Sequence, residues 1–225
     1  MNTKTISYCV IVATAIMLVI GSAILCPPAV RAQGAVPKYE VDPFWLKIPA
    51  KWVVGPLGGS CIDAQDDLFI LHRQEGLSTL TARDRKDEMM AAPPVMEFDP
   101  KGNLVNSWGD ANVLGQYLHD CNFDKEGDIW IVGAQSGFAQ KWTHDGKKLL
   151  LQIGKSGVFD SPDGTRKGKP LNSNTAQFNG PSGIDVDPFE RCLVLAFWQA
   201  LHRPQAKTVL VQGTRIVGVG ITAQA

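Results

Sequence analysis

The chemistry open to this chain rests on its histidines, its cysteines and three aspartates that recur in one local pattern. Asp63, Asp124 and Asp187 each follow a short apolar stretch, in Ser60-Cys61-Ile62-Asp63, Cys121-Asn122-Phe123-Asp124 and Gly183-Ile184-Asp185-Val186-Asp187. Recurrent carboxylates suit acid–base work or cation binding. An Asp at a strand end also accepts hydrogen bonds from amides two residues on, which closes a tight hairpin, and we read all three as turn residues. The cysteines show no C-x-x-C spacing, so neither a thiolate metal site nor a disulfide framework is signalled. Cys61, Cys121 and Cys192 read as small core residues, with a Cys61–Cys121 bridge as the alternative in an oxidising compartment. His72, His144 and His202 stand alone in sequence, and a lone histidine reads as packing or surface rather than as a ligand.

The elements that position these residues come in a repeat. Ser60–Ile70 and Cys121–Ile131 share an apolar strand, an acidic turn and a second apolar strand, and Gly183–Pro188 begins a third copy. Each copy continues into another hairpin. Val95–Phe98 turns through Asp99-Pro100-Lys101-Gly102-Asn103 into Leu104–Gly109. Its counterpart, Gln140–Thr143, turns through His144-Asp145-Gly146 into Lys147–Ile153. Pro-x-Gly-Asn and Asp-Gly between alternating strands are hairpin signals. Four antiparallel strands recurring at about 60 residues describe an all-β fold, a β-propeller with inserted loops. The insertions are Gln74–Pro94, carrying the charged run Arg83–Glu88, and Lys155–Phe178, both read as solvated loops. About three blades are present, whereas closing a ring takes at least four. The propeller is therefore expected to be incomplete, with open sheet edges prone to self-association.

Composition narrows the setting. Lys plus Arg (22) equals Asp plus Glu (22), so no basic face for nucleic acid is expected. The 22 glycines and 14 prolines suit many short strands. Residues 1–32 read as a signal peptide: Lys4 precedes an uncharged run to Val30, and Val30-Arg31-Ala32 offers cleavage before Gln33. An uncleaved anchor is the alternative. The chain is thus expected to be exported, periplasmic or extracellular, and off the membrane after cleavage. The domains read as 1–32 signal peptide, 33–54 lead-in, 55–188 blades and 189–225 an atypical tail, truncated or frameshifted. In that tail Leu193–Phe197, Thr208–Gln212 and Arg215–Ile221 retain strand character.

Three stretches resemble NHL-repeat six-bladed propellers, and among them the peptidyl-α-hydroxyglycine α-amidating lyases and their bacterial relatives. They are Leu57–Asp63 through Phe69-Ile70-Leu71-His72-Arg73, Tyr117–Asp124 with Gly127–Val132, and Gln177–Pro188. The resemblance implies a carbon–nitrogen lyase that releases glyoxylate from a peptidyl-hydroxyglycine, using zinc held by three histidines, a tyrosine base and an arginine. By that resemblance Arg73 matches the catalytic arginine and His119 the first zinc ligand. No tyrosine occurs in Phe189–Gln199, where the family's base belongs. Catalytic zinc needs three protein ligands, so one histidine is too few. The expectation is an inactive, lyase-like copy. The alternative is a non-catalytic module binding a protein, peptide, small molecule or glycan at the propeller face. A hydrolytic propeller using calcium is the weakest option, since the repeated aspartates are explained as turns.

Overall fold

The computed structural model describes residues 38–77, 89–171, 173, 175–186, 191–195, 205–212 and 215–223. Met1–Asp42 and Pro43–Ala225 are two units, and every named element belongs to the second. The expected signal peptide, the Arg83–Glu88 run, Asp187 and His202 lie outside the described residues.

The second unit is almost entirely β. After β1 (Trp52–Val53), the first four-stranded antiparallel sheet comprises β2 (Leu57–Ile62), β3 (Leu68–His72), β5 (Val95–Phe98) and β6 (Leu104–Trp108). Within the Gln74–Pro94 insertion, β4 (Met90–Ala91) pairs in parallel with β1, so part of that loop is a ladder rather than free coil. Asp110 caps a single helical turn, α1 (Ala111–Leu114), that leads into the second sheet. That sheet is β7 (Leu118–Phe123), β8 (Ile129–Gly133), β9 (Ala139–Trp142) and β10 (Leu149–Ile153). The third is β11 (Gly183–Val186), β12 (Arg191–Leu195), β13 (Gln205–Gln212) and β14 (Arg215–Ala223). The stretch after Pro188 thus supplies three strands of a complete sheet, close to the segments whose strand character was legible.

Strand β7 packs beside β2 on one side and β11 on the other. Sheets stacked around adjacent innermost strands are propeller blades, here three of them, short of a closed ring. Alternation along each strand builds the cores between blades. Phe69 and Leu71 of β3 face blade 2 and meet Leu118, Ile129 and Ile131, while Ile70 faces the other way with Met96 and Phe98. Trp130 and Val132 of β8 face blade 3 and meet Ile153, Phe178, Ile184 and Val209. Each fully buried large side chain contributes about 1.5–3 kcal/mol. Leu46, Ile48 and Trp52 cover the outer side of blade 1, packing on Ile70, Met96 and Phe98.

The innermost strands of blades 1 and 2 nearly touch along their backbones. A Cβ built on Gly58 would lie 2.0 Å from the Leu118 carbonyl oxygen, and one on Gly59 would lie 2.5 Å from that of His119. A disulfide joins Cys61 to Cys121 across the same seam, 60 residues apart. This corrects the reading of both as free core cysteines. Two strands adjacent in space but a whole blade apart in sequence bring the thiols together, and spacing alone does not reveal it. Blades 2 and 3 are joined by hydrogen bonds instead. The Ile184 amide donates to Asp120 (3.0 Å) and the Asn122 side chain to Asp185 (3.0 Å).

Candidate functional site

Two groups of functional side chains lie at opposite ends of β2. Leu57 pairs with His72 and Ile62 with Leu68, so Arg73 follows one end of the strand and Asp63 the other. At the first end, the Arg73 Nε donates to the Leu118 carbonyl (3.2 Å), immediately before His119 on the innermost strand of blade 2. The guanidinium also sits 3.6 Å above the centre of the Tyr117 ring, a cation–π contact. Tyr117 holds a left-handed backbone (φ 61°), uncommon for a residue with a side chain, and its amide donates to Glu75. Its conformation is therefore fixed from both sides. Tyr117 lines a cleft of about 230 Å³ with Ala134, Gln135, Arg166, Lys167 and Asn179. The Lys155–Phe178 loop forms the cationic wall of this cleft. The loop is tied down at Asp160, which accepts from the Ser173 amide (2.8 Å) and hydroxyl (2.6 Å).

His119 is half-buried in β7 next to the residue that Arg73 contacts. His72 is fully buried and satisfied: its Nδ1 accepts from the Gly55 amide (3.2 Å), and its Nε2 faces the Ala92 and Pro93 carbonyls. These partners set the neutral tautomer with the proton on Nε2. It is a structural residue, as its isolation in sequence suggests.

At the other end, the turn reading of the aspartates holds for both described examples. Asp63 Oδ1 accepts from the Gln65 and Asp67 amides, each at 2.8 Å. Asp124 Oδ1 accepts from those of Glu126 (3.1 Å) and Asp128 (3.0 Å). The second oxygens differ. Asp124 Oδ2 receives the Trp130 indole N–H (3.1 Å) and the Lys141 ammonium (2.7 Å), which also reaches Asp128 (3.0 Å). Burial draws the Lys141 pKa down, but hydrogen bonds and charge from Asp124 and Asp128 outweigh it and hold the pKa above the ordinary lysine value.

Blade 1 lacks both donors. The strand register puts Phe69 opposite Glu97 as it puts Trp130 opposite Lys141. Phe69 thus replaces the indole and Glu97 replaces the lysine. The sequence alignment of Val95–Phe98 with Gln140–Thr143 is one residue off, and the ladder pairs Ala139–Trp142 where blade 1 has Val95–Phe98. Glu97 is buried between Val95, Met96 and Phe98, all fully buried, on the side that faces blade 2. Burial raises its pKa, with a smaller opposing effect from an Asn106 hydrogen bond. Into this place blade 2 projects His144, whose Nε2 lies 2.8 Å from Asp63 Oδ2. The Phe69 and Phe123 rings flank the imidazole, with centroids at 5.1 and 5.5 Å. Burial pushes the Asp63 pKa up, but the Asp67 amide, His144 and the Gln65 amide together bring it below the usual carboxylate value.

One ligand atom each from Asp63, Glu97 and His144 lies within 4.8 Å of the others. Among the described residues this is the group able to hold a metal ion, and His119 is not part of it. Sequence reasoning singled out Arg73 and His119 and gave no site role to Glu97 or Tyr117, though both fall in stretches that it marked. It took His144 only as a turn residue, because its partner is 81 residues away in another blade.

No protein-family model and no curated protein sequence matches the chain. Several solved structures are similar at low identity. A protein of unknown function from Bacteroides caccae is 15% identical, with 77% of this chain and 47% of that chain covered and a TM-score of 0.41. The PQQ-bound aldose sugar dehydrogenase from Streptomyces coelicolor is 11% identical, covering 76% and 50% at 0.41. Virginiamycin B lyase from Staphylococcus aureus is 11% identical, covering 74% and 54% at 0.37. The chain spans about half the length of these proteins, whose functions are mixed or unknown.

Proposed function

We propose that this chain is an exported propeller module that binds a peptide-type ligand bearing a carboxylate, without catalysing its breakdown. The cleft beside Tyr117 carries this reading. Arg166 and Lys167 offer charge to a carboxylate, the Gln135 and Asn179 amides suit a peptide backbone, and Tyr117 gives an apolar face stiffened by Arg73. Arg73 in this reading is a positioning residue, its guanidinium held by the Leu118 carbonyl and the Tyr117 ring. The Cys61–Cys121 disulfide and the apolar N-terminal run support an oxidising, extracytoplasmic location.

The test is calorimetric titration with short peptides that carry a free or an amidated C-terminus. Free-acid peptides are expected to bind at least tenfold more tightly, and Tyr117→Ala and Arg166→Ala are each expected to weaken them tenfold or more. Equal affinity for both peptide forms, unmoved by either substitution, would overturn the reading. A second reading, the zinc-dependent amidating lyase that the sequence resembles, is favoured by the approach of Arg73 to the strand carrying His119. Glyoxylate release from an α-hydroxyglycine peptide with added zinc, lost in His119→Ala, would establish it in place of the first.

A further inference from the structure

We propose that Asp63, Glu97 and His144 form a binding site for a divalent transition-metal ion of the zinc type, bridging blades 1 and 2. The comparison between blades carries the argument. Blade 2 places a cation, the Lys141 ammonium, 2.7 Å from the turn aspartate. Blade 1 keeps that aspartate but puts a carboxylate, Glu97, in the lysine's place. Two carboxyl groups with the residues 8% and 7% exposed then lie within 4.8 Å of each other, and the charged groups acting on them are His144 and Asp67, with no lysine or arginine among these. Buried like charges are strongly unfavourable unless a cation is shared between them.

The donor set matches such an ion. Two carboxylate oxygens and one imidazole nitrogen suit zinc or manganese, whereas calcium prefers six to eight oxygens. The three ligands come from the turn after β2, from strand β5 and from the β9–β10 hairpin, each position set by the ladders rather than by a free loop. Zinc holds its ligands at about 2.0–2.2 Å, so tetrahedral donors sit roughly 3.4 Å apart. Asp63 and His144 need to part slightly from 2.8 Å, and the spread of 4.8 Å needs to contract. The His144 side chain is 38% exposed, which leaves a path from solvent and room for a water as fourth ligand. The ion takes the imidazole as its neutral tautomer, with the proton on Nδ1 and the Nε2 lone pair, 2.8 Å from Asp63 Oδ2, turned to the metal. The location differs from that implied by the family resemblance, since His119 lies at the opposite end of the blades.

The experiment uses the full chain, stripped with chelator, dialysed, then titrated with zinc and separately with manganese. One equivalent of zinc per chain and a rise in Tm are expected, with manganese binding more weakly. His144→Ala and the near-isosteric Glu97→Gln are each expected to weaken zinc binding at least tenfold, while His119→Ala leaves it unchanged. Glu97→Gln keeps the shape of the site, so a folded Gln variant with unchanged zinc affinity would overturn the proposal. So would the absence of stoichiometric zinc in the parent chain, or loss of that zinc only in His119→Ala.

Discussion

Blades 1 and 2 share one ladder and one turn, and they differ in how they treat the charge that the turn creates. In blade 2 the turn aspartate is neutralised within its own sheet by Lys141 and receives a hydrogen bond from the Trp130 indole. In blade 1 the corresponding places are Glu97 and Phe69, and the partner comes from the next sheet as His144. The same backbone motif therefore makes a self-contained ion pair in one blade and a polar junction between blades in the other. Turn geometry needs only one carboxylate oxygen. The other oxygen is free to serve whatever the neighbouring strands present.

The largest effect expected on this comparison comes from uncoupling the two blades. Removing the disulfide through a Cys61→Ser/Cys121→Ser double substitution frees a loop of 60 residues in the unfolded chain, a loss of about 4 kcal/mol on the chain-entropy account. Urea denaturation of oxidised, reduced and double-serine protein checks it, with the last two expected to coincide.

Lys141→Ala comes next. It leaves the Asp124 side chain, 5% exposed, without its ammonium, and a loss of about 3 kcal/mol is expected. Glu97→Lys tests the comparison from the other side by giving blade 1 the arrangement of blade 2. A gain of about 1 kcal/mol in metal-free protein is expected, along with loss of any zinc-dependent rise in Tm. If Glu97→Lys destabilises the chain, the two places are not interchangeable.

The smallest effect is pH dependence. Lys141 has a folded pKa raised above 10.5, so its stabilising contribution is complete below that pH and fades as pH rises through the raised value. The Tm difference between the parent and Lys141→Met is expected to stay constant from pH 7 to 10 and to narrow above 10.5.

Much of the fold was legible in the sequence because its rules are local. Short apolar runs at Leu68–Leu71 and Ile129–Val132 mark strands buried on both faces, and Asp63, Asp99 and Asp124 mark turns whose amide bonds are seen directly. The stretch after Pro188 lacks the turn residues of the first two blades, so it reads in sequence as an atypical tail, although three of its segments keep the strand character seen in the third sheet. What escaped depends on relations between blades. Cys61 with Cys121, Asp63 with His144 and Arg73 with Tyr117 are pairs between 44 and 81 residues apart, joined only when sheets stack. Glu97 escaped for a simpler reason. A one-residue slip in aligning the third strands exchanges the faces of a β-strand, and so hides that a glutamate stands where its neighbour blade has a lysine.

The glycine pair at the centre has a geometric consequence. Gly58 and Gly59 let two innermost strands approach until a single added methyl on either would collide with the backbone opposite. The spacing at the hub governs the angle through which each sheet is turned relative to the last, and hence the curvature of the whole assembly. A side chain at either position would act as a wedge there, opening the angle and straightening the path along which any further sheet would be laid.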